Sequence, residues 1–185
     1  ALPIFSGPAT TIAALTDAWR AGSGRGFTTT MRQRLYRLDE LTQPAPLPAG
    51  GARTAGPADR DLVLAWFGAF AEDTGQPGGV PAHLVDGRLR NGLMLLWEVD
   101  GVPVSMAGVT QPAGGTARIA PVYTPSALRG RGYAGAVTAE LSRRTRDAGH
   151  EVVLFTDLDN PTSNALYQRI GYREVRDYVI VQLER

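Results

Sequence analysis

The stretch from Ile119 to Ala134 constrains this chain most. A strand ending on Ile119-Ala120-Pro121-Val122-Tyr123-Thr124 gives way to Arg129-Gly130-Arg131-Gly132-Tyr133-Ala134, and a helix follows. The helix is expected from Gly130 to Asp147, with Ala134, Val137, Thr138 and Leu141 on one face and Gly149 at its C-terminal stop. Glycines at such a junction remove side-chain bulk and expose backbone N–H groups at the start of the helix. Unsatisfied donors and the helix dipole together favour a bound anion, a pyrophosphate above all. The two arginines can add charge-assisted hydrogen bonds. The pattern points to a phosphate-bearing ligand and makes an enzyme the leading idea.

Composition closes other routes. The 185 residues suit one ordinary domain with an extra piece, and 43% hydrophobic content suffices for a sizeable core. A formal charge of +1 gives no overall pull toward nucleic acid or an acidic membrane surface. Cysteine is absent, which removes disulfides, thiolate ligands and a cysteine nucleophile. His83 and His150 are the only imidazoles, too few for a histidine-rich metal site, and no metal is expected. All 19 basic residues are arginine, so Schiff-base chemistry and a phosphate-loop lysine are excluded. No apolar run is long enough to span a membrane, and the start lacks the basic segment of a signal peptide. Cytoplasmic is the default expectation.

Residues 43–58, rich in Pro, Gly and Ala, read as a linker, and the division drawn is an N-terminal arm over 1–42, a linker over 43–50 and a main domain over 51–185. Before the linker, Thr10–Trp19 reads as a short helix and Phe27–Leu38 as an alternating strand. After it come helices over 59–74 and 81–89. Strands over 93–99 and 102–110 are joined by Asp100-Gly101, a favoured hairpin pair. Another strand spans 116–124. Beyond the long helix lie a buried-looking strand at 151–156, a helix with Asn160 as N-cap and Pro161 in first position, and a final strand at 178–183. The order is an α/β pattern whose front half is largely antiparallel.

This order resembles the GNAT superfamily of acyl-CoA-dependent N-acyltransferases over 51–185. Arg129-Gly130-Arg131-Gly132-Tyr133-Ala134 is similar to that superfamily's pyrophosphate loop, Q/R-x-x-G-x-G/A, with Ala134 in the last slot. Asn160-Pro161-Thr162-Ser163-Asn164-Ala165-Leu166-Tyr167 followed by Gly171-Tyr172 resembles its last helix and exit. The resemblance implies a mostly antiparallel mixed sheet splayed between its fourth and fifth strands, with the pantetheine arm of acetyl-CoA in the wedge. Val122, Tyr123 and Thr124 would offer backbone hydrogen bonds to that arm. Arg129, Gly130, Arg131, Gly132, Tyr133 and Ala134 would hold the pyrophosphate. Asn160 and Ser163 would lie beside the cofactor, and Tyr167 near the sulfur. Residues 1–42 are not explained by one such domain; as a strand–helix–strand they are expected to be the tail of a second, degenerate copy, with 27–41 pairing as a strand.

Acyl transfer to an amine requires a neutral amine, a stabilised oxyanion and a proton for the leaving thiolate. Tyr167 is the candidate acid, with core packing beside Leu166 and Ile170 as the plain alternative. Glu98, in an apolar strand, is a candidate base if desolvated; it equally suits an edge position or an ion pair with an arginine. Glu72 and Asp73 rival it and equally suit a solvated helix end. Asn160 reads first as a helix cap. Asp157 and Asp159 read as loop and capping residues, and the cluster Arg143, Arg144 and Arg146 as a solvated face. The expected activity is direct transfer from acetyl-CoA to a primary amine of a small molecule, peptide or protein, with neither nucleic acid nor membrane as partner. The competing reading is a non-catalytic CoA-binding sensor of the same fold. A dinucleotide or P-loop protein is disfavoured by the missing lysine and glycine register.

Overall fold

The computed structural model describes residues 3–75 and 80–184. In chain order the elements are β1 (Ile4–Pro8), α1 (Ala9–Ser23), β2 (Phe27–Leu38), β3 (Gly51–Thr54), α2 (Arg60–Asp73), α3 (Ala82–Arg90), β4 (Met94–Val99), β5 (Val102–Val109), β6 (Thr116–Tyr123), α4 (Tyr133–Asp147), β7 (Glu151–Asp157), α5 (Pro161–Arg169) and β8 (Tyr172–Leu183). The strands form one sheet in the order β1-β8-β2-β7-β6-β5-β4-β3. Neighbours are antiparallel except β6 and β7, which run parallel.

Local chemistry explains most boundaries. Asp100 and Gly101 both take positive φ, 51° and 78°, as the tight turn between β4 and β5 requires. Asn160 caps α5 by accepting from the Ser163 N–H at 3.0 Å, and Pro161 follows at the position where a missing N–H costs nothing. α4 starts at Tyr133 rather than at Gly130, because Gly130 and Gly132 hold φ of 76° and 84° and stay outside the helix. β8 starts at Tyr172 rather than at Tyr178. Its first half, Arg173-Glu174-Val175-Arg176-Asp177, is too charged to read as a strand. It is one nevertheless, because it pairs with β2 and Arg34 bridges Glu174 at 2.7 Å and Asp177 at 2.6 Å.

Alternation along the strands divides the core in two. On one face Leu95, Trp97, Ile119, Val152 and Leu154 pack against Val137 and Leu141 of α4 and Tyr167 of α5. On the other, Met94, Leu96 and Met106 pack against Val63 and Phe67 of α2 and Val85 and Leu89 of α3. α1 lies against β1 and β8. The segment between β2 and β3 crosses the α5 end. Thr42 donates its N–H to Ile170, and Trp97 donates its indole N–H to Ala49 at 2.9 Å.

The parallel pairing of β6 and β7 is short. Thr116–Ile119 match Glu151–Leu154, and there it stops. Beyond that point β6 stays with β5, while β7 stays with β2 through Gln33–Arg37. The sheet therefore opens into a wedge between Ala120–Tyr123 and Phe155–Asp157.

Candidate functional site

The wedge opens toward the N-terminus of α4. No N–H from Gly130 to Gly135 finds a hydrogen-bond acceptor among the described residues; the first helical bond is Ala136 to Gly132 at 3.1 Å. No acidic side chain occupies the first turn. An open row of donors beside two arginines is a ready anion cradle. A Cβ on Gly130 would meet nothing within 4 Å, whereas one on Gly132 would lie 3.7 Å from the Pro48 ring. The linker thus forms one wall of the loop. Arg131 and Arg129 are solvent-facing. Arg129 donates to the Thr124 carbonyl at 3.0 Å and pairs with Asp73, tying the end of β6 to the end of α2.

Val122, Tyr123 and Thr124 form the β6 side of the wedge. The Tyr123 carbonyl already accepts from Ser105 at 3.0 Å, and Ser105 also bonds the Thr124 hydroxyl at 2.8 Å. The Tyr123 ring turns away, 5.9 Å from the Trp66 ring of α2. Tyr133 packs against the α4-side core, and Ala134 is half-buried in the first helical turn. On the β7 side, Asn160 and Ser163 start α5. Asn160 serves as the cap, and Ser163 is half-buried.

Tyr167 projects from α5 into the α4-side core. It is 8% exposed, and its hydroxyl makes no hydrogen bond to a described residue. Burial pushes its pKa up to about 12, so the phenol stays protonated. Tyr172 lies edge-on to it, 6.1 Å between centroids, and bonds Ser142 at 2.7 Å.

The candidate carboxylates separate. Glu98 accepts from Arg53 at 2.8 Å, and the same guanidinium grips Asp59 at 2.7 Å. Arg53 thereby joins β4 to the start of α2. The ion-pair alternative for Glu98 is the one the molecule adopts. Glu72 is exposed at the end of α2, next to the Asp73 that holds Arg129. Asp157 accepts from the Asp159 N–H at 2.9 Å, a loop bond. Arg143 and Arg144 pair with Glu140 at 2.9 and 2.7 Å, and Arg146 with Asp147 at 3.0 Å. No cluster of three metal-ligating side chains occurs among the described residues.

Sequence reasoning passed over three residues. Asn164 accepts from the buried Tyr36 hydroxyl at 2.9 Å and donates to the Asp157 carbonyl at 2.8 Å, fixing α5 to β2 and the wedge edge. Arg88 and Arg118 stand on the opposite face of the fork. Nothing distinguishes them among 19 arginines until the fold brings them together.

Comparison with known proteins agrees with this geometry. Residues 103–181 match the model of the family described as FR47-like protein. No curated protein matches the sequence. Among solved structures, a GCN5-related N-acetyltransferase from Sphaerobacter thermophilus superposes with a TM-score of 0.73 at 24% identity, covering 98% of this chain and 59% of that one. An acetyltransferase from the GNAT family of Colwellia psychrerythraea gives 0.68 at 15% identity, covering 98% and 64%. A predicted acetyltransferase from Clostridium acetobutylicum, solved with acetyl-CoA, gives 0.54 at 17%, covering 68% and 90%. The chain spans about three fifths of the Sphaerobacter and Colwellia proteins. Its fold is that of the GNAT superfamily, as the loop and the last helix imply.

Proposed function

We propose that this chain, built on the GNAT acetyltransferase fold, transfers an acetyl group from acetyl-CoA to a primary amine in a ternary complex. The observation that carries the reading is the donor-rich, acid-free start of α4 at the open end of the splayed sheet. A diphosphate matches that row of N–H groups, with Arg129 and Arg131 beside it. The backbone of Val122–Thr124 would flank the pantetheine arm, and Asn160 and Ser163 would face it from α5. When bound, acetyl-CoA supplies an activated thioester carbonyl.

Tyr167 holds a proton for the departing sulfur: its raised pKa keeps the phenol protonated, and its hydroxyl has no partner among the described residues to compete. Glu72, next to the Arg129–Asp73 contact that ties the end of α2 to the end of β6, takes the ammonium proton through water. With no cysteine in the chain, an acyl-thiol enzyme has no nucleophile.

Calorimetric titration with acetyl-CoA tests the reading, wild type beside Ala134→Glu. A carboxylate in the first turn suits the helix dipole, so α4 keeps its fold while the diphosphate meets a like charge. The expected result is micromolar binding by the wild type, lost in the variant. Absence of wild-type binding overturns the proposal. Binding without CoA release across an amine panel turns the protein into a sensor.

A further inference from the structure

The fork of the sheet has a second side. Ile119 and Leu154, the last residues joining β6 to β7, point into the α4-side core. Alternation therefore turns Arg118, Ala120 and Phe155 toward α2 and α3. The Arg118 guanidinium stacks on Phe155, 4.8 Å from the ring centroid. Arg88, from α3, donates to the Ala120 carbonyl at 2.6 Å. Gly108 makes room for that contact, since a Cβ there would fall 3.0 Å from the carbonyl and 3.1 Å from the guanidinium. Both arginines thus stand where the wedge begins, on the face away from α4.

Arg118 is exposed to solvent and Arg88 is half-buried. No carboxylate among the described residues reaches either one. Arg88 uses one of its five N–H donors, and Arg118 makes no side-chain hydrogen bond to a described residue. Desolvation lowers the pKa of both, and Arg118 lowers that of Arg88 further. Arg34, Arg53, Arg60 and Arg143, in contrast, are raised by carboxylates that hold them. Two neighbouring cations with no carboxylate between them favour an anion that joins them. A cavity of about 410 Å³ opens beside Arg88, lined by His83, Leu84, Gly87, Arg88, Thr110 and Gln111. The Thr110 hydroxyl accepts the backbone N–H of Arg118 at 3.0 Å, which places the cavity rim next to that residue's main chain.

We propose that Arg88 and Arg118 form the subsite for an anionic group, carboxylate or phosphate, carried by the amine acceptor. The acceptor then enters from the α3 face, its anion held by the arginine forks and its amine directed into the wedge. This rests on the acetyl-transfer reading above and narrows it to acidic amines.

The direct test is arginine Nε–Hε magnetic resonance of the whole chain, titrated at constant ionic strength with acetate, inorganic phosphate and methylammonium. Arg88→Lys and Arg118→Lys assign the two signals. Saturable shifts of both with acetate or phosphate, absent with methylammonium and absent from the exposed Arg25 and Arg169, are expected. The stronger anion identifies the group. Uniform, unsaturated drift of all four signals overturns the subsite, whether or not acetyl-CoA binds. The kinetic arm compares amino acids with their amides, and ethanolamine with phosphoethanolamine. A kcat/KM advantage of tenfold or more for the anionic member, abolished by Arg118→Gln, is expected. Arg118→Gln breaks no side-chain hydrogen bond to a described residue, so it is the variant least exposed to misfolding. Equal use of both members overturns the proposal while leaving acetyl transfer intact.

Discussion

At the scale of single residues, position decides which titratable groups can do chemistry. Glu98 and Tyr167 both come from apolar stretches, yet Glu98 is held in an ion-pair network by Arg53 while Tyr167 is buried without a hydrogen-bond partner among the described residues. Replacing Tyr167 with Phe keeps the ring and removes only the proton. Turnover should fall about 100-fold, the usual scale for losing a positioned acid, with acetyl-CoA affinity unchanged by calorimetry. The same substitution has a stability signature. Burial raises the folded-state pKa from 10.0 to about 12, so the native protein holds this proton more tightly than the unfolded chain. That stability is complete below pH 10 and is lost as pH rises through 12. Denaturant unfolding between those pH values should therefore be less pH-dependent in Tyr167→Phe. An unchanged slope together with unchanged turnover would leave Tyr167 as a packing residue only.

Elements show what a sequence discloses and where it falls silent. The Asp100-Gly101 turn, the Asn160-Pro161 start and the glycine-punctuated loop before α4 were legible because each depends on a few adjacent residues. The first half of β8 was not, since its charges are answered by Arg34, far away in the chain. Likewise the wedge lining could be placed from the loop motif, but Asn164, Arg88 and Arg118 acquire meaning only through partners on other elements. The face of α4 carries a local network that the sequence presented simply as basic. Arg143 and Arg144 both hold Glu140, whose pKa falls from 4.5 to about 2, chiefly through the Arg143 hydrogen bonds. A depressed carboxylate stabilises above its unfolded pKa, and the contribution disappears as pH drops from 4.5 through 2. The arginines are 42% and 38% exposed, so solvent screens the pair and Glu140→Gln should cost about 1 kcal/mol at neutral pH. Urea unfolding should show that gap closing on acidification; a constant gap would mean Glu140 acts through packing instead.

Across the whole molecule the wedge poses a structural problem that β2 solves. Where β6 and β7 part, the last residues of β7 lose one neighbour, and a strand unpaired on both sides would leave its backbone groups without partners. β2 supplies the other neighbour through Gln33–Arg37. On its far edge β2 pairs with β8 from Phe27 to Leu38, with Leu183 and Tyr172 as the end partners. Because β2 is antiparallel to both, β7 and β8 run in the same direction; without β2 they would meet only by forming a new parallel pair. The alternation of Phe27–Leu38 announces a strand, but nothing local announces that it sits inside the sheet, since its partners lie more than a hundred residues away. A main domain confined to 51–185 would lack the strand that holds one side of the wedge. Deleting residues 1–42 should therefore abolish the cooperative thermal transition and acetyl-CoA binding together, and adding back a peptide of residues 24–42 should restore both in part. A truncated protein that unfolds cooperatively and binds acetyl-CoA like the whole chain would show that β8 closes directly onto β7, and that β2 is an addition to the sheet rather than its support.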